Sequence, residues 1–115
     1  MTYVVHMTDN QLSSDLLRGN TDTIILKLLL SSDKYGYEIT KLLFEHSGQR
    51  YELKEATMYS CLKRLEKDGF IASYWGDESQ GGRRRYYHIT HSGRDLYRSN
   101  KSNWDYAKQI LDKLL

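Results

Sequence analysis

The 115 residues are 39% hydrophobic and 28% charged, with 17 Lys and Arg against 15 Asp and Glu and a formal net charge of +2. That length fits one globular domain and excludes two, and so small a domain gains apolar burial from a partner subunit. A near-neutral chain is not marked as a nucleic-acid binder by its charge alone, so the placement of the charges has to decide.

Residues 1–9 show no periodicity and are expected to form a flexible N-terminus. The opening MTYVVHMTDN has no Lys or Arg and does not read as a signal peptide, so a cytoplasmic location is expected. From Asn10 the pattern turns helical. Leu12, Leu16 and Leu17 lead into Ile24–Leu30, where only Lys27 interrupts an apolar run, and a helix apolar on nearly every side is a buried one. The run is far short of the roughly 20 residues that cross a bilayer, so no membrane partner is expected. Ser31–Lys34 breaks the helix. Tyr35-Gly36-Tyr37 opens a second, with Ile39, Leu42 and Leu43 on one side, Glu38, Lys41 and Glu45 on the other, and Gly48 at its end. A third spans about 54–68 and stops at Gly69, which suits the left-handed position after a helix.

Then the period changes from 3.6 to 2. Phe70–Trp75 and Arg85–Ile89 are aromatic and β-branched runs on either side of the polar, glycine-bearing residues 76–82, which predicts a β-hairpin over about 70–89 with a flexible tip. Thr90 is a good N-cap for a final helix from His91 to Leu115, about 35 Å long at 1.5 Å per residue.

The third helix sorts by face. Ala56, Tyr59, Leu62 and Leu65 follow an apolar stripe, whereas Thr57, Ser60, Arg64 and Lys67 line a presented side at helical spacing. A helix about 10–12 Å across fits the DNA major groove, where hydroxyls reach base edges and cations neutralise phosphates. A solvated amphipathic helix carries the same pattern, so the hairpin is the better discriminator. Its tip sets Arg83, Arg84 and Arg85 between Gly81-Gly82 and Tyr86-Tyr87. Strand alternation puts Arg83 and Arg85 on one face and Arg84 on the other, as in a finger laid along a phosphate backbone. An edge strand guarded by charge explains one or two cations, not three after two glycines.

Three helices and a two-stranded wing make a mainly α (α+β) winged helix-turn-helix over residues 10–90, followed by a C-terminal helix at 91–115. Leu17-Arg18-Gly19, Tyr35-Gly36-Tyr37-Glu38-Ile39, Ala56-Thr57-Met58-Tyr59, Arg64-Leu65-Glu66, Asp68-Gly69-Phe70-Ile71 and Gly82–Thr90 with Gly93 together resemble the PadR family of transcriptional regulators. The match covers roughly residues 16–115 and is nearest to the small subgroup with one C-terminal helix, which includes multidrug-responsive repressors. Lys54 stands where that family often has a capping serine, and Arg84 where it often has proline. The resemblance implies double-stranded DNA as partner, contacted by Tyr37, Lys54, Thr57, Tyr59, Ser60, Lys63, Arg64, Gly81, Gly82, Arg83, Arg84 and Arg85.

The last helix repeats in sevens, with Tyr97, Trp104 and Leu111 at one position and Asn100, Ala107 and Leu114 at the other. This predicts a dimerisation helix, a two-fold homodimer and a pseudo-palindromic, inverted-repeat operator with half-sites about 34 Å apart. In multidrug-binding members of the family the matching tryptophans sandwich flat aromatic drugs at the dimer centre. By that resemblance a small hydrophobic or aromatic effector would meet Leu16, Gly19, Asp22, Thr23, Leu96, Trp104 and Lys108. Lys108 replaces an acidic group there, which favours neutral or anionic ligands. The alternative is a winged module that binds RNA or a protein without ligand control.

An enzyme is not expected. No HExxH, P-loop, GxGxxG or GxSxG string occurs, Cys61 sits mid-helix among packing residues, and one cysteine with four histidines falls short of a metal set. No cofactor is implied.

Overall fold

A computed structural model of the protein describes residues 12–77 and 83–115. The expected flexible residues 1–9 and the wing glycines Gly81 and Gly82 lie outside them. The order of elements is α1 (Ser14–Leu17), α2 (Thr21–Ser31), β1 (Lys34–Tyr35), α3 (Gly36–His46), α4 (Glu55–Lys67), β2 (Ile71–Trp75), β3 (Arg85–Ile89) and α5 (His91–Leu114).

The segment read as one helix from Asn10 is two. Gly19 takes φ +91°, a left-handed conformation that no α-helix tolerates, and the chain restarts at Thr21. The restarted helix is the centre of the fold: Ile25, Leu26 and Leu29 are essentially inaccessible, and α2 packs against α4, α5 and β3. α3 covers it with Ile39 and Leu43, while Leu42 sits half-buried at the rim. Glu38 bonds back to the Tyr35 backbone N–H at 3.1 Å, so a capping box sets the start of α3.

α4 begins one residue later than expected, with Lys54 as an N-cap whose side chain makes no capping bond. It ends as expected. The Phe70 N–H reaches the Leu65 carbonyl at 2.9 Å and the Gly69 N–H the Glu66 carbonyl at 3.1 Å, with Gly69 at φ +83°. That double closure requires a left-handed residue, which glycine supplies without strain.

The expected hairpin of β2 and β3 is present, and β1 joins it to make a three-stranded antiparallel sheet in the order β1-β3-β2. β3 pairs Tyr87 with Lys34 and Tyr86 with Tyr35 on one edge, and Ile89 with Ile71 through to Arg85 with Trp75 on the other. Alternation aims Tyr87 and Ile89 into the core and leaves His88 in solvent, while Arg85, on the same face as Tyr87, is exposed because it lies at the outer end of the strand. Thr90 caps α5 as expected, its hydroxyl accepting from the Gly93 N–H at 3.1 Å. The first turns of α5 pack on the domain, but residues 101–115 are all exposed, and the molecule is 55 Å long and only 21 Å thin.

Candidate nucleic-acid interface

The face of α4 that meets the core is not the expected one. Met58, Cys61, Leu62 and Leu65 are buried, at the i, i+3, i+4, i+7 spacing of a helix stripe, whereas Ala56 and Tyr59 are exposed. The apolar stripe is turned by about one position, because Met58 and Cys61 fit the core and the bulk and hydroxyl of Tyr59 suit its edge. Tyr59 lies over Gly36, where any β-carbon would collide with its phenol. Opposite the core stand Ser60, Lys63 and Lys67, all in solvent, with Thr57 and Arg64 on the flank turned toward α2. Tyr37 on α3 and Lys54 before α4 are exposed as well.

The wing arginines are ordered by aromatic rings. The Arg83 and Arg85 guanidinium carbons sit 4.7 and 5.9 Å from the Trp75 ring centre, and that of Arg84 4.8 Å from the ring of Tyr35. The alternation expected of a strand is therefore kept, with the cations held over π faces. Tyr86 braces this stack between Tyr74, 5.7 Å away and parallel, and Tyr35, 5.5 Å away and edge-on. Arg85 is also fastened to α4: it bonds Ser73 Oγ at 2.8 Å and pairs with Glu66 at 3.3 Å. Below the wing, Asp33 accepts from the Tyr74 hydroxyl and lies 2.8 Å from His88 Nδ1. The Tyr74 bond, with help from His88, holds the Asp33 carboxyl below the usual carboxylate range, and that same bond pushes the Tyr74 phenol up to about 12. Trp75, Tyr35 and Glu66 were not singled out from the sequence. An aromatic directly across the hairpin from a cation was the available signal.

A model of the transcriptional regulator PadR-like family matches residues 25–99 of this chain. The chain belongs to that family. An uncharacterised protein of Lysinibacillus sphaericus is 42% identical to this PadR-like chain over 99 residues, covering 86% of the chain and 91% of that protein. A transcriptional regulator from Clostridium thermocellum has a similar structure, with TM-score 0.83 and 45% identity over 89% of this chain and 96% of that one. A PadR family transcription regulator from Clostridium difficile gives TM-score 0.74 and 42% identity over 84% and 98%.

The residues expected at an effector site in this PadR-like regulator divide three ways. Leu16, Gly19, Thr23, Trp104 and Lys108 line one cleft of about 730 Å³ between α2 and α5, together with Ala107 and Leu111. Leu96 is not among them, because it packs half-buried against the core. Asp22 is not either: the turn of α2 aims it at α4, where it accepts from Cys61 and Arg64. Of the expected dimer positions, Tyr97 is taken up by the core and lies 5.8 Å from Lys27, and Asn100 donates to Thr23 Oγ1 at 2.9 Å within the same chain. Both fall where α5 still runs alongside α2. Further on, Trp104, Leu111 and Leu114 are 45%, 51% and 74% exposed.

Burial first, and then the bond to Asp22, push the Cys61 thiol up to about 12, the reverse of what a nucleophile or metal ligand needs. Among the described residues no group of three or more His, Cys, Asp or Glu could hold a metal ion, and no helix is long and apolar enough to cross a membrane.

Proposed function

We propose that this PadR-like regulator binds duplex DNA as a homodimer, with α4 in the major groove and Arg83–Arg85 on the flanking backbone. The observation that carries this reading is the pairing of two surfaces. α4 turns Ser60, Lys63 and Lys67 away from the core, and the wing beside it holds a row of three arginines over Trp75 and Tyr35. Short hydroxyls with cations suit base edges and phosphates together.

Supporting the dimer is the exposed apolar side of α5, where Leu111 and Leu114 have no cover in a single chain of the described residues. A two-fold mate on that helix gives two reading heads and an inverted-repeat operator. Repression follows from occupancy of such a site, and its relief from a flat hydrophobic or aromatic ligand, neutral or anionic beside Lys108, in the cleft at Trp104.

Fluorescence anisotropy tests the reading, using a labelled duplex from the region upstream of the protein's own gene and a scrambled duplex of equal length across a salt series. A preference of about 10³-fold with a steep salt slope supports a specific DNA regulator. Weak, equal binding to both, with tight binding to RNA or to a protein, favours the alternative. Quenching of Trp104 across a panel of planar aromatic compounds tests the effector.

A further inference from the structure

Two neighbouring residues in the first turn of α2 hold opposite sides of the molecule. Asp22 Oδ1 accepts from both the Cys61 thiol and the Arg64 guanidinium, and Arg64 is 42 residues away on the proposed reading helix. Thr23 Oγ1 accepts from Asn100 Nδ2 of α5 at 2.9 Å. Just before them, Gly19 breaks the chain at φ +91° with open space around its α-carbon, and Asn20 makes no side-chain capping bond. Besides the backbone bonds from the Asn20 N–H to the Leu17 carbonyl at 2.9 Å and from the Ile24 N–H to the Asn20 carbonyl at 3.0 Å, those two side-chain contacts tie the turn to its neighbours.

A carboxylate is an odd choice on the flank of a helix meant for phosphates. It repels the ligand, and an ion pair as open as this one, with Arg64 half-exposed, adds little to stability. Its effect is directional. A free arginine swings to any phosphate within reach, whereas one held by a single nitrogen presents its remaining N–H fork along a fixed line.

We infer that Asp22 is a positioning residue for DNA recognition: it fixes the direction of Arg64, and through the adjacent Thr23–Asn100 bond that direction follows the seating of α5. The inference rests on the DNA reading proposed above. α2 becomes the part through which a change at the dimer helix reaches the reading helix, from a first turn that holds both contacts.

The experiment uses the full chain, a duplex that the wild-type protein selects from a randomised library, and a scrambled duplex. Asp22→Ala removes one anion beside the phosphates and frees Arg64. Its affinity for the scrambled duplex should rise severalfold, while the ratio of selected to scrambled affinity falls about tenfold. Asp22→Asn keeps the size and one acceptor oxygen, so the ratio should fall about threefold, and this variant serves if the alanine variant fails to fold. Asn100→Ala should lower the ratio in the wild-type background and change nothing further in the Asp22→Ala background. A ratio unchanged in both Asp22 variants overturns the inference, as does a parallel loss on both duplexes with a lowered melting temperature, which marks a purely structural role. Equal effects of Asn100→Ala in the two backgrounds overturn the tie to α5. Wild-type protein that holds the selected duplex no better than the scrambled one removes the DNA reading itself, and this inference with it.

Discussion

The ammonium of Lys34 donates to the carbonyl oxygen of Leu28 at 3.1 Å, closing the C-terminal end of α2 from a position only 6% exposed. It also bonds Ser31 Oγ at 3.0 Å and Ser32 Oγ at 2.8 Å, so a buried cation meets the partial negative charge of a helix end with its donors engaged. Lys34→Met keeps the stem and strips the donors. The Leu28 carbonyl keeps only the Ser31 hydroxyl at 2.9 Å, and the lost bonds should cost about 1–3 kcal/mol, seen as a melting temperature several degrees lower. An unchanged melting temperature would show that solvent reaches this helix end.

Gly93 lies where α5 crosses the entry to β2. A β-carbon there would fall 2.1 Å from the Phe70 carbonyl oxygen and 2.7 Å from Ile89, and backbone cannot step aside as a side-chain tip can. Gly93→Ala should destabilise by about 1–3 kcal/mol despite its better helix propensity, read by urea unfolding. A stabilised variant would mean that the crossing is looser than this.

Cys61 offers a clean chemical probe because the chain has one cysteine. With its thiol pushed up to about 12, native protein at pH 8 should react with an aromatic disulfide reagent far more slowly than unfolded protein. Asp22→Ala removes the acceptor that is the second cause of that shift and should speed the reaction while leaving burial, the first cause, in place. A native rate equal to the unfolded rate would contradict the burial of this thiol.

The contact of Asp33 with Tyr74 and His88 has pH limits on both sides. The folded state lowers the Asp33 pKa, so the contact's contribution is full above about pH 4 and drains as pH falls through the lowered value. It raises the Tyr74 pKa to about 12, so the contribution is full below about pH 10 and drains as pH rises toward 12. Urea midpoints of wild type and Asp33→Asn should differ most between these limits and converge outside them. A difference that grows at either extreme reverses the assignment.

Leu111→Asp combined with Leu114→Asp puts two charges on the exposed apolar side of α5. The pair should turn a dimer into monomers in sedimentation equilibrium while the helical content of the winged domain persists. A dimer that survives both would place the mate on another surface.

Much of this architecture was legible in the residues. Gly69 and Thr90 declare the end of α4 and the start of α5 because both act through local geometry, and the hairpin strands show in their β-branched and aromatic runs. β1 was not legible, since two residues have no period and Lys34 and Tyr35 become a strand only by meeting Tyr87 and Tyr86 far along the chain. The stripe of α4 was misjudged because Ala56 and Tyr59 keep helical spacing with Leu62 and Leu65 as well as Met58 and Cys61 do, and only the shape of the core chooses. Asp22 was placed at the effector site by resemblance alone, and its bonds to Cys61 and Arg64 depend on how α2 meets α4, which no local pattern records.

The position of β3 in the middle of the sheet has a mechanical consequence. Both of its edges are bonded, one to the strand that leads into α3 and the other to the strand that leaves α4, and Arg85 rivets it again to Glu66. If α4 reads DNA as proposed, wing and helix are two jaws of a caliper with its screw tightened, their span set before any duplex arrives. On that reading the adjustment would fall to the duplex, so sequences whose grooves relax easily to that span would be favoured even at base pairs no side chain touches.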